Sequence, residues 1–286
     1  DAAVKKETDH LYPLVADFVT PMEWPAVAPL VAAINRLKKK KNAVILAHNY
    51  MTPDIFSLVG DFRGDSLQLA REASAVDADI IVQAGVHFMA SNASQVVEHI
   101  AKEWNSDTVI MVPDQYLAKN VAAQTDIRIM TWPGACEVHE LFSADDVHQL
   151  REAHPGVVVL AHPECPPDVL EAADFAGSTS ALANYVSEKS PNKVVLLTEC
   201  SMSDNVAAVN PDVNFIRPCN LCPHMKRITL ENIYDCLVTG KYEVKIPEDV
   251  RVRAKDALDA MMALPKMARP LAFKTGLKPL ELEMVN

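Results

Sequence analysis

Seven short apolar runs, each closed by turn residues, constrain this chain more than any other feature: Ala43–Ala47, Ile80–Ala84, Thr108–Val112, Ile127–Thr131, Val157–Ala161, Lys193–Leu197 and Asn214–Ile216. Most are continuous rather than alternating, as strands covered on both faces should be. Helical patterns fall between them, clearest at Ser66–Ala75, Ala93–Trp104, Ala144–Ala153, Ser180–Glu188 and Leu230–Val238, with Asp65, Asn92, Ser143 and Thr229 as N-caps. Strands alternating with helices predict an α/β fold of parallel sheets. The first 24 or so residues read as irregular, with Pro13, Pro21 and Pro25 as breakers. From Pro25 a helix is predicted to run into Lys38–Lys41, a solvated end whose charge suits the carbonyl pole. A long last helix, Glu248–Leu264, is expected to pack back on an earlier layer.

In open parallel sheets, ligands bind beyond the carboxyl ends of the strands. The residues after successive runs are His48 and Tyr50; His87; Cys136 and His139; His162, Glu164 and Cys165; Glu199 and Cys200; and Cys219 and Cys222. Ser178 and Thr179 follow a further short run, Asp174–Ala176. A lone histidine there would be packing. So many titratable groups at one end of consecutive strands point to a functional centre.

The six cysteines are too sparse for a secreted disulfide framework. Cys136-x2-His139 and Cys219-x2-Cys222-x-His224 have metal-ligand spacing, compatible with zinc or an iron–sulfur cluster, and C-x2-C also suits a redox pair. Cys200 and Cys236 read as structural thiols. Gly64-Asp65-Ser66 and Gly177-Ser178-Thr179 each open a helix, where free amides and hydroxyls suit phosphate or carboxylates. A formal charge of −11 argues against a nucleic-acid partner, and no apolar run approaches the roughly 20 residues of a membrane helix. The polar start, Asp1–Thr8, is unlike a signal or transit peptide, and a cytoplasmic small-molecule enzyme is expected.

Eight stretches, in order, resemble the quinolinate synthase family: ILAHNY at 45–50, GDSL at 64–67, GVHFMA at 85–90, PDQYLA at 113–118, GACEVH at 134–139, HPE at 162–164, GST at 177–179 and CPHMK at 222–226. The resemblance runs from about Asn42 to Leu264. It implies three similar αβα domains around a pseudo-threefold axis, with the site at their shared centre. Residues 1–24 would be an extension, 25–90 the first domain with 241–286 packed back on it, 91–135 the remainder of a second, and 136–240 the third. The reaction implied condenses iminoaspartate with dihydroxyacetone phosphate to quinolinate for NAD biosynthesis, with functional coupling to an L-aspartate oxidase or aspartate dehydrogenase. The cofactor implied is a [4Fe–4S] cluster on three cysteines, its fourth iron open as a Lewis acid. Matched by motif, Cys136 and Cys222 are two of those ligands. His48, Tyr50, His162 and Glu164 face substrate and handle protons, while Ser66, Ser91, Ser178 and Thr179 hold its anionic groups.

The resemblance breaks at one place. After GVHFMA the family continues through Glu-Thr-Ala to a Gly-Cys loop bearing the first cluster cysteine, then a Tyr-x-Asn strand. Here Ala90 runs directly into Ser91, and no cysteine precedes Cys136. Two other readings therefore stay open: a zinc hydrolase or lyase using Cys136, His139 and Cys222, and a degenerate, non-catalytic paralogue.

Overall fold

The computed structural model describes residues 2–85, 107–263 and 283–284. The predicted helix at 93–104 and its cap Asn92 lie outside them. The chain divides into two compact units, Asp1–Ala90 with Pro223–Ala268, and Ser91–Cys222 with Arg269–Asn286.

The first unit begins with a correction. The stretch expected to be irregular carries helix α1 (Ala2–Thr8) and a 3-10 turn at Tyr12–Leu14. Thr8 is buried and its hydroxyl donates to the Val4 carbonyl, while Glu7 forms a fork-to-fork pair with Arg36 of α2 (Trp24–Lys41). Contacts distant in sequence hold this short helix, so local pattern could not reveal it. Pro25 is not a breaker; it sits in the first turn of α2, where its missing N–H costs nothing. The lysine run is not wholly solvated either: Lys38 turns inward, donating to the Val59 carbonyl at 2.6 Å and pairing with Asp61 at 2.8 Å. Asn42 ends α2 in the left-handed conformation.

Next come β1 (Ala43–His48), α3 (Pro53–Leu58), β2 (Phe62–Gly64), α4 (Ser66–Ala75) and β3 (Ile80–Ala84). They form a parallel sheet of order β2-β1-β3. Ile45, Leu46 and Ala47 are successive and all buried, so central β1 is covered on both faces.

The second unit holds two parallel sheets. One contains β4 (Thr108–Met111), followed by helix α5 (Gln115–Ala122), and β5 (Arg128–Thr131). The other follows α6 (Ala144–Ala153). It is built from β6 (Val158–Ala161), α7 (Pro167–Ala172), β7 (Phe175–Ala176), α8 (Thr179–Lys189), β8 (Lys193–Leu197), α9 (Cys200–Ala207) and β9 (Asn214–Ile216), in strand order β7-β6-β8-β9. The two-sided apolar coverage expected of all strands holds for β6 and β8, where Val159 to Ala161 and Val194 to Leu197 are buried without alternation. It fails for β4, whose Met111 joins a small core with Ala118, Val121 and Ile129 while Ile110 is 59% exposed.

The chain then returns to the first unit with α10 (Leu230–Thr239), ended by Gly240 at φ 72°, and α11 (Glu248–Met262). α10 packs against α2 and β3. A final strand, β10 (Glu283–Met284), pairs with β5. Among the described residues no helix is long and apolar enough to cross a membrane.

The expected caps hold. Asp65 accepts from the Gln68 amide, Ser143 forms a capping box with Asp146, and Thr229 accepts from the Asn232 amide. Cys200 is the clearest misreading: it is bonded to Cys219 in a disulfide, not a free thiol.

Candidate functional site

In the first unit, His48 is the last residue of β1, and Tyr50 and Ser66 follow the carboxyl ends of β1 and β2. His48 is buried, its Nδ1 accepts the Tyr50 amide at 3.2 Å, and the two rings meet edge-on at 4.8 Å. With Nδ1 accepting, a neutral ring carries its proton on Nε2. Ser66 is the first residue of α4, behind the Asp65 cap. Ser91 and His87 lie outside the described residues.

The second unit gathers a group of its own from two sheets. Cys136 and His139 follow β5, and His162 and Glu164 follow β6. The His139 ring, 1% exposed, stacks on His162 with centroids 4.3 Å apart. Its Nε2 lies 2.9 Å from the Thr198 hydroxyl, and its Nδ1 forms an ion pair with Glu164 Oε2 at 3.0 Å. The same carboxylate oxygen is 3.7 Å from His162 Nδ1.

Electrostatics follow from this packing. Burial by itself would lower the His139 pKa, but Cys136 and Glu164 beside the ring outweigh it and raise it to about 9. Burial would raise Glu164, yet its bond to His139 and the charge of His162 bring it down to about 2. The pair is thus imidazolium and carboxylate near neutral pH. Asp114 behaves oppositely: burial dominates and pushes it up to about 6.

Ligand atoms of Cys136, His139 and Glu164 all lie within 4.8 Å of one another, a spacing one metal ion could span. This group contains Glu164 where the zinc reading had Cys222, so the fold does not gather the set expected for that reading.

Ser178 caps α8 by accepting the Ala181 amide, and Thr179 is buried in its first turn. Gly177 makes the approach possible, because a Cβ there would stand 2.8 Å from that of Ala181. Cys222 and Cys136 are free and partly exposed. Cys165 is a buried thiol whose Sγ donates to the Leu197 carbonyl, and burial pushes its pKa well up, in keeping with its exclusion from the ligands.

Four residues organise this site, and of these the sequence singled out only Glu199, as one of the groups that follow a strand. Asp114 accepts the Leu117 amide with Oδ1 and the Cys136 amide with Oδ2. Glu199 accepts the Ser201 and Cys222 amides with its two oxygens. Asn120, on α5, donates to the Pro163 and Cys165 carbonyls and so ties that helix to the His162–Glu164 loop. Asn220 donates to the Val138 carbonyl, joining the two cysteine loops. The available signal was position, since Asp114 and Glu199 both stand at helix N-caps.

Comparison with known proteins agrees with the residue pattern. The family model described as quinolinate synthetase A protein matches residues 32–94 and 90–263, two stretches that overlap at 90–94, across the Ala90–Ser91 junction. A quinolinate synthase of Caulobacter vibrioides is 48% identical over 334 aligned positions, covering 94% of this chain and 91% of the relative. Those 334 positions exceed the chain's 286 residues by 48, so at least that many positions of the relative face a gap. One from Sinorhizobium medicae is 44% identical, covering 92% and 90%, and one from Xylella fastidiosa is 47% identical, covering 82% and 87%. With matches of this extent, the chain belongs to the quinolinate synthetase A family.

Proposed function

We propose that this chain is a quinolinate synthase acting in the cytosol, condensing iminoaspartate with dihydroxyacetone phosphate to supply NAD biosynthesis. The observation that carries this reading is the Cys136, His139, His162 and Glu164 cluster at strand ends of a family member. Iminoaspartate would come from an L-aspartate oxidase or aspartate dehydrogenase. Three αβα layers, 25–90 (with 241–286 packed back on it), 91–135 and 136–240, would carry the site, behind the extension 1–24. Ser66, Ser178 and Thr179, at helix starts, and Ser91 would hold the substrate's carboxylate and phosphate groups. His48 and Tyr50 would face the substrate.

His139 fixes Glu164 as a carboxylate, which near neutral pH can orient substrate and His162 by accepting hydrogen bonds but has no proton to give. His162, beside it and less buried than His139, is the group suited to proton transfer.

A [4Fe–4S] cluster supplies an open iron as Lewis acid when bound. Cys136 and Cys222 suit two of its corners, being free thiols beyond strand ends. A three-cysteine set does not fit this chain. Cys200 and Cys219 are paired, Cys165 is buried, and Cys236 lies on α10 of the other unit with its thiol pushed up by burial. The gap at Ala90–Ser91 is what motivates a second reading, a paralogue that binds the substrates without turnover.

Anaerobic iron and sulfide reconstitution, followed by assay for quinolinate from both substrates, separates the two. Quinolinate formation is expected. Substrate-induced stabilisation without product, after full iron loading, would establish the second reading instead.

A further inference from the structure

The two proposed metal-facing cysteines are held by the same device, built twice. Asp114 follows β4 and caps α5; one oxygen accepts the Leu117 amide at 2.6 Å and the other the Cys136 amide at 2.9 Å. Glu199 follows β8 and caps α9; one oxygen accepts the Ser201 amide at 2.8 Å and the other the Cys222 amide at 3.4 Å. In each case the cysteine comes from the loop after the adjacent strand, β5 or β9. Both carboxylates are buried. The second loop is gripped again by a parallel bridge between Glu199 and Asn220.

We propose that Asp114 and Glu199 are positioning residues, each using one carboxylate oxygen to cap a helix and the other to fix the loop presenting Cys136 or Cys222. The chemistry requires a carboxylate because both partners are N–H donors. An amide of the same shape has one acceptor and one donor, so it can satisfy the helix or the cysteine loop but not both. A serine can cap the helix and is too short to reach the loop.

The inference rests on reading Cys136 and Cys222 as the metal-facing thiols, but it can be tested on metal-free protein. Iodoacetamide labelling with peptide mapping reads the alkylation rate of each cysteine separately. Asp114→Asn and Asp114→Ser are expected to raise the Cys136 rate about tenfold or more, the worth of one charge-assisted hydrogen bond, with Cys222 unchanged. Glu199→Gln and Glu199→Ser should do the reverse. Buried Cys165 reports global opening, which would raise all three rates together. Asp114→Glu, which keeps two acceptors, should move the Cys136 rate back towards wild type. Unchanged rates, or rates that rise in parallel with Cys165, would overturn the proposal. A protein that forms no quinolinate yet shows the reciprocal pattern loses the proposed function and keeps this inference.

Discussion

Two sheets of the second unit can be set side by side. In β7-β6-β8-β9, the central strands are buried on both faces, and apolar side chains from α6 and α7 share a core with β6 and β8. In the sheet containing β4 and β5, one face has the small Met111–Ile129 core while Ile110 stands 59% and Trp132 49% exposed. The second sheet begins after the Ala90–Ser91 junction, the place where the family model's match divides into two stretches. Among the described residues, the central strands of the first sheet are covered on both faces and β4, which follows the junction, on one.

If so, equal truncations should have unequal costs. Leu160→Ala, in the covered sheet, is expected to destabilise by about 4 kcal/mol, and Ile110→Ala by less than about 0.5 kcal/mol, read by urea denaturation. Comparable costs would break the comparison.

The His139–Glu164 pair spans the loops of the two sheets and tests whether they unfold together. Glu164→Gln, which strands a buried imidazole charge, should cost about 3 kcal/mol near pH 6. The sign with pH is fixed by both partners. Glu164 is depressed from 4.5 to about 2, so its contribution is present above 4.5 and lost as pH falls towards 2. His139 is raised from 6.5 to about 9, so its contribution is full below 6.5 and lost as pH rises through 9. Stability from the pair is greatest between those limits, 4.5 and 6.5, and Glu164→Gln should flatten the slopes on either side of that plateau.

The covered sheet is also the cross-linked one, with the Cys200–Cys219 bond closing 19 residues between α9 and the loop after β9. Cys219→Ser should cost about 2–3 kcal/mol by freeing that loop in the unfolded chain. Ser143→Ala, which removes the capping box of α6, should cost about 1 kcal/mol, seen as a small fall in Tm.

What the sequence revealed follows from how local each signal is. β6 and β8 are continuous apolar runs, and α4 and α6 carry their own caps, so their bounds could be read to within a residue. Helices α3 and α7 span six residues each, too few for a helical period to accumulate, and both open on proline. The site divides the same way. Cys136, Cys222, His162 and Glu164 announce themselves by residue type and position after strands. Asn120, Thr198 and Asn220 act on partners 43, 59 and 82 residues away, and nothing near them in sequence marks that pairing.

The most direct test of the central claim, that Cys136 and Cys222 are the metal-facing thiols, is iron bound after anaerobic reconstitution in four proteins: wild type, Cys136→Ser, Cys222→Ser and Cys165→Ser. Iron should be held by wild type and Cys165→Ser and lost from the other two. Wild-type iron in Cys222→Ser would contradict the account.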